Sequence, residues 1–125
     1  EFAAKGAKSK NGTTVGVITG PRRTSNEWID IEIITGSKIA GFDEVLIPIM
    51  CDAVIVIGGG AGTLQEICVS YRNKTPIILI SSSRGCVPQL LKQKFLDDRK
   101  TTSLIVVKNA EEAVQAALHH ASLSM

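Results

Sequence analysis

The residues best suited to chemistry lie between Asp52 and Glu66, in DAVIVIGGGAGTLQE, where an apolar run meets four glycines in five positions. Gly58, Gly59, Gly60 and Gly62 would let the backbone approach a ligand without Cβ clashes. A helix starting there would aim free N–H groups and the positive end of its dipole at the same point. A phosphate satisfies both demands. Gly58, Gly59, Gly60, Ala61, Gly62 and Thr63 therefore form a candidate binding turn for the phosphate of a nucleotide-like ligand. A plain strand-to-helix corner would need fewer glycines. Glu66, three residues beyond Thr63, is the candidate catalytic carboxylate. Thr63-x-x-Glu66 also has the spacing of a capping box, in which the pair would hold its own helix end, and the spacing alone leaves both roles open.

Two familiar nucleotide signatures fail. G-x-G-x-x-G needs glycine where Thr63 stands, and no acidic residue follows the next strand, which ends Ile80-Ser81-Ser82-Ser83. A Walker A loop ends in Gly-Lys-Ser/Thr, whereas no lysine occurs between Lys38 and Lys74. Dinucleotide binding and P-loop hydrolysis are disfavoured.

The elements that must position the turn follow from periodicity. Short β-branched runs at Thr14–Thr19, Ile29–Ile34, Asp52–Ile57, Pro76–Ile80 and Ser103–Val107 alternate with helix-period segments. That rhythm gives a three-layer, Rossmann-like α/β fold with a mainly parallel sheet, in one domain spanning 1–125. The second run alternates Ile29, Ile31 and Ile33 with Asp30 and Glu32 and belongs at an edge. The third and fourth are apolar nearly throughout and belong at the centre. A helix is expected over Thr63–Arg72 with Leu64, Ile67, Cys68 and Tyr71 inward, and another from Asn109 as N-cap with Glu112 three residues on. A third should start at Ser37 or Lys38 and bury Ile39, Phe42, Leu46 and Ile49, with Pro48 kinking it or ending it early. The segment before Thr14 reads as a further helix.

Composition narrows the function classes. With 14 Lys plus Arg against 12 Asp plus Glu in 125 residues, the formal charge of +2 gives no reason to expect a nucleic-acid or membrane partner. The most apolar stretch, Val45–Ile57, is interrupted by Pro48 and Asp52 and is shorter than the ~20 residues of a membrane helix. Cys51, Cys68 and Cys86 are odd in number, sit in apolar surroundings and lack C-x-x-C spacing, so reduced packing thiols in a cytoplasmic protein are expected. No metal site and no cofactor of the protein's own is called for. His119 and His120 are helix neighbours pointing about 100° apart, a geometry suited to solvent rather than to a shared metal. Trp28 suits packing or subunit contact better than base stacking, and Arg22 and Arg23 suit a solvated loop. Ser81–Gly85 follows a central strand at its carboxyl end and could line the same crevice as the turn.

Gly59-Gly60-Ala61-Gly62-Thr63-Leu64-Gln65-Glu66 matches G-G-x-G-T-x-x-E, and by it the chain resembles the Lonely Guy phosphoribohydrolases and molybdenum-cofactor carrier-like proteins of the SLOG superfamily. The likeness extends over nearly the whole chain. Gly12–Pro21 resembles the group's third strand, while Thr35-Gly36, Leu96–Arg99 and Glu111–Val114 resemble the carrier-like branch most closely. The resemblance brings Gly20, Pro21, Thr35 and Gly36 into the candidate phosphate- and nucleotide-binding set. It also implies further strands and a second glycine-rich loop upstream of this stretch, and a homo-oligomer, dimer or larger. Hydrolases of the group carry an arginine where ungapped counting places Asp43. The resemblance thus implies a carrier of a phosphorylated small molecule, a nucleoside monophosphate or a pterin-type cofactor. Its alternative is a phosphoribohydrolase that splits nucleoside 5′-monophosphates, with Glu66 stabilising a developing ribosyl cation.

Overall fold

A computed structural model describes residues 1–18, 25–37, 39 and 41–122. The chain divides into two compact units, Glu1–Asp43 and Glu44–Met125.

In the first unit, α1 (Phe2–Lys8) precedes β1 (Val15–Ile18) and β2 (Ile31–Ile34), which pair in parallel with Val15 opposite Ile31 and Ile18 opposite Ile34. Asp30 ties these elements together at the strands' amino ends. Lys8 Nζ donates to its Oδ1 at 2.7 Å, and the Thr14 amide donates to its Oδ2 at 2.8 Å. Hydrogen bonds from Lys8 first, then from Thr14, hold the Asp30 carboxyl at about 2, against its ordinary 3.8. A lowered carboxyl stabilises the fold above its unfolded value, and that contribution is lost as pH falls through the folded one. Asp30→Asn should therefore lower the melting temperature at pH 5, with the gap closing between pH 3.8 and about 2. A gap independent of pH would show that the charge is not what matters. Trp28, expected to serve packing or subunit contact, takes the Lys5 ammonium 5.3 Å from its ring centroid.

In the second unit, β3 (Val54–Val56), β4 (Ile77–Ile80) and β5 (Leu104–Val107) form a parallel sheet in chain order. The register sets Val54 against Ile77 and Ile77 against Leu104. The side-chain period of two splits β4 between two cores. Ile77 and Leu79 pack with Val56, Leu104, Ile67 and Tyr71 of α3 (Ala61–Asn73), and with Val87 and Leu90 of the one-turn α4 (Val87–Leu90). Ile78 and Ile80 pack with Val107 against Ala113, Ala116 and Ala117 of α5 (Ala110–Ser122) on the other face. Three layers result, with β4 inaccessible on both sides. Tyr71 closes the first core at a polar point, donating to Asp97 Oδ1 at 3.0 Å and accepting from the Thr101 amide at 3.1 Å.

Several expectations need correction. β3 was expected at the centre, yet among the described residues it pairs only with β4. The helix expected from Ser37 or Lys38 is α2 (Asp43–Met50); Gly41, at φ +86, stands outside right-handed helix geometry just before it. Pro48 does not end α2, which runs two residues further, and Pro48 is fully buried. Of the side chains expected inside, Ile39 is 72% exposed, with Phe42 and Ile49 about half exposed. Leu64 and Cys68 of α3 are also exposed, because Ser70 takes the inward position beside Ile67 and Tyr71. Only Cys86 of the three thiols packs inside; Cys51 and Cys68 are exposed, and all three are free. No helix among the described residues is long and apolar enough to cross a membrane.

Candidate functional site

The glycine turn begins where β3 ends. Gly58 at φ +73 and Gly59 at φ +104 lie in the region that favours glycine, so the chain reverses there at little cost. Gly60 follows as the N-cap of α3 with no side-chain cap bond. The first amides of a helix have no acceptor within it, and a glycine cap supplies none, so this end of α3 keeps its donors for something else.

Each glycine admits a different neighbour. A Cβ on Gly59 would lie 2.0 Å from Thr63 Oγ1, so the missing side chain is what lets the threonine fold back over the turn. A Cβ on Gly62 would lie 2.9 Å from Glu44 Oε1, which puts an α2 carboxylate against the first turn of α3. A Cβ on Gly58 would meet the Arg84 backbone at 3.7 and 3.9 Å. The 81–86 segment is joined to the turn directly, since the Cys86 amide donates to the Gly59 carbonyl at 2.9 Å. Gly85, at φ +74, makes that approach possible, because a Cβ there would lie 1.9 Å from the Gly59 oxygen.

These contacts decide the question left open at Thr63. The N-cap is Gly60, so Thr63 sits inside the helix as its third residue, and Thr63 and Glu66 do not form a capping box. A related reciprocal cap occurs at α5, where Asn109 Oδ1 accepts from the Glu112 amide at 2.9 Å and Glu112 Oε2 accepts from the Lys108 amide, one residue before Asn109, at 2.8 Å.

Glu66 is free for another role. It is half-buried and lines a cavity of about 170 Å³ with Thr63, with Ile47 and Pro48 of α2, and with residues 54–58. Successive strand residues face opposite sides of a sheet, so a cavity lined by all of 54–57 runs along the outer edge of β3 rather than beneath one face. Burial, and then the Glu44 carboxylate, push the Glu66 carboxyl above its ordinary range, while the Thr63 hydroxyl pulls the other way. A raised carboxyl favours the folded state below its unfolded value, 4.5, and costs stability as pH rises through the folded one. Glu66→Gln should accordingly melt higher than the parent at pH 7, with the advantage vanishing below pH 4.5. A variant less stable at pH 7 would mean that Glu66 makes ionic contacts outweighing this strain.

The other candidate residues lie apart. Thr35 and Gly36 belong to the first unit at the carboxyl end of β2; the Thr35 amide donates to the Ile18 carbonyl at 3.2 Å, and Gly36 has φ +61. Gly20, Pro21, Arg22 and Arg23 fall outside the described residues. Asp43, the first residue of α2, is 7% exposed, with Oδ1 buried and without a hydrogen-bond partner. His119 and His120 stack edge to face, centroids 5.1 Å apart, and among the described residues no group of three or more His, Cys, Asp or Glu is arranged to hold a metal. Sequence reasoning missed Glu44, whose nearness to the turn arises only once α2 is in place, whereas Arg84 lies in the Ser81–Gly85 segment expected to line the crevice.

A parallel sheet covered by helices on both faces, with a glycine turn at the carboxyl end of one strand, defines a Rossmann-like protein. Residues 1–114 match the SLOG cluster4 family, and the chain belongs to it. An uncharacterized protein from Archaeoglobus fulgidus is 35% identical over 86 residues, which cover 63% of this chain and 56% of that one, so the match spans about half of that relative's length. The X-ray structure of TM1055 is similar with a TM-score of 0.83 at 26% identity, over 95% of this chain and 71% of the other. The molybdenum cofactor binding protein of Rippkaea orientalis gives 0.73 at 25% identity, over 100% and 71% of the two chains. The molybdenum cofactor carrier protein of Chlamydomonas reinhardtii gives 0.70 at 26%, over 97% and 69%.

Proposed function

We propose that this chain belongs to a carrier-type binding protein that holds a phosphorylated small molecule, a nucleoside monophosphate or a pterin-type cofactor, at the Gly58–Thr63 turn. The observation that carries the reading is the uncapped end of α3 behind two glycines at positive φ, which leaves amide donors for an oxyanion. Two similar structures are named for binding or carrying the molybdenum cofactor, which supports a small ligand of that kind. Thr35, Gly36, Gly20 and Pro21 belong to the ligand set that the family resemblance implies. The exposed Val45, Ile49 and Met50 of α2 support a homodimer or larger assembly, and three unpaired cysteines suit the cytoplasm.

A second reading, phosphoribohydrolase, is favoured by one observation, the half-buried Glu66 with its raised carboxyl beside a cavity. Asp43 opposes it, since an acid stands where the hydrolases have a phosphate-clamping arginine. Incubation with a panel of nucleoside 5′-monophosphates separates the two. A carrier shows a thermal shift and releases no base; ligand at 100 times its dissociation constant adds about 2.7 kcal/mol. Free base that appears with the parent and is lost in Glu66→Gln would establish the hydrolase. Neither shift nor release, with pterin phosphates tried as well, would defeat both readings.

A further inference from the structure

The turn has a charge problem. Two carboxylates on the packed helices stand beside it, Glu44 of α2 against Gly62 and Glu66 of α3. A phosphate monoester at the α3 amino end would meet helix dipole on one side and like charge on the other. About half a unit of dipole charge does not neutralise a dianion.

The segment between β4 and α4 carries the missing cation. The Arg84 backbone packs beside Gly58, and the Cys86-to-Gly59 hydrogen bond together with Gly85 at φ +74 fixes that approach. Among the described residues, the Arg84 side chain is exposed and makes no ion pair or hydrogen bond. Next to it, the Ser83 hydroxyl oxygen is buried and has no hydrogen-bond partner. A buried hydroxyl without a partner is costly, and an acceptor oxygen supplied by a ligand would satisfy it.

We propose that Arg84, with Ser83 beside it, is the anion-pairing residue of this site, and that it selects a dianionic phosphate monoester over the corresponding neutral nucleoside. The proposal rests on the reading that the glycine turn binds phosphate. Arg84 takes the part that the Asp43 position cannot play, from a different element of the chain. The planar guanidinium can pair two phosphate oxygens at once while the turn amides hold the third.

Titration calorimetry with inorganic phosphate, AMP and adenosine tests this on the parent chain and on Arg84→Gln, Arg84→Lys and Ser83→Ala. Arg84→Gln should weaken AMP about tenfold or more, the size of one lost charge-assisted hydrogen bond, and leave adenosine unchanged. Arg84→Lys should recover most of the loss. The dependence of AMP affinity on salt should flatten in Arg84→Gln, a change that a merely structural role would not produce. Ser83→Ala should weaken phosphate and AMP alike. Because the Arg84 side chain is exposed, its variants should melt with the parent. A parent that binds AMP or phosphate, with Arg84→Gln equal to it, overturns the assignment and leaves the turn as a phosphate site. A parent that binds neither, nor a pterin phosphate, overturns the turn reading and the assignment with it.

Discussion

Gly85→Ala is expected to cost about 3 kcal/mol of folding stability. Two penalties combine. The backbone at φ +74 is one that L side chains adopt only at about 1–2 kcal/mol. The new Cβ would also stand 1.9 Å from the Gly59 carbonyl oxygen, a backbone atom that cannot swing aside. Relief requires the two segments to part, breaking the Cys86-to-Gly59 hydrogen bond, whose loss from a protected site costs about 1–3 kcal/mol. Urea unfolding at unchanged m-value would measure it. Gly6→Ala is the matched control, since nothing lies within 4 Å of a Cβ at Gly6 and the position is helical. That change should be neutral or gain about 0.5–1 kcal/mol. Equal effects at the two glycines would mean that the contact between the turn and the 81–86 segment has no energetic weight.

Ile78→Ala should cost a similar amount, about 3 kcal/mol within the 2–5 kcal/mol span of such truncations. Ile78 is fully buried on the middle strand, facing the alanines of α5. Those small partners have no side-chain length with which to fill the space left behind, so the cavity term should be felt nearly in full. Ile78→Val removes one methylene and should cost about 1 kcal/mol. The same denaturation experiment reads both. A loss below 1 kcal/mol for the alanine variant would show that α5 settles inward to close the gap.

The strands were legible because β-branched runs bounded by breakers are a local signal. All five expected runs contain a strand, each trimmed by one to three residues. The capping pair Asn109 and Glu112 was legible for the same reason, as both partners lie within one turn. So was the glycine turn between β3 and α3, since all its residues lie in one short segment. The failures are non-local or depend on interruptions. α4 is a single turn from Val87 to Leu90 with a proline in it, too short to show a period. The start of α2 was misplaced because apolar spacing continues back through Ile39 while Gly41 interrupts the backbone. The exposure of Ile39, Phe42 and Ile49 could not be read from helical spacing, which says that an apolar stripe exists but not that anything covers it. Glu44 was invisible as a neighbour of the turn because it lies on another element, 18 residues from Gly62 along the chain, whereas the Ser81–Gly85 segment, with Arg84 in it, was legible from its place at the carboxyl end of a central strand. The resemblance supplied the family but not the Glu44 charge.

Among the described residues, one helix alone roofs the second face of the β3–β4–β5 sheet, and it does so chiefly with alanines. Short side chains allow a close seat but bury little area, so lifting α5 is the cheapest way for this unit to open. What such an opening uncovers is a flat isoleucine and valine surface, the kind that sticks to its like. Substitutions on α5 that bury more area are therefore expected to slow aggregation without altering the Gly58–Thr63 turn.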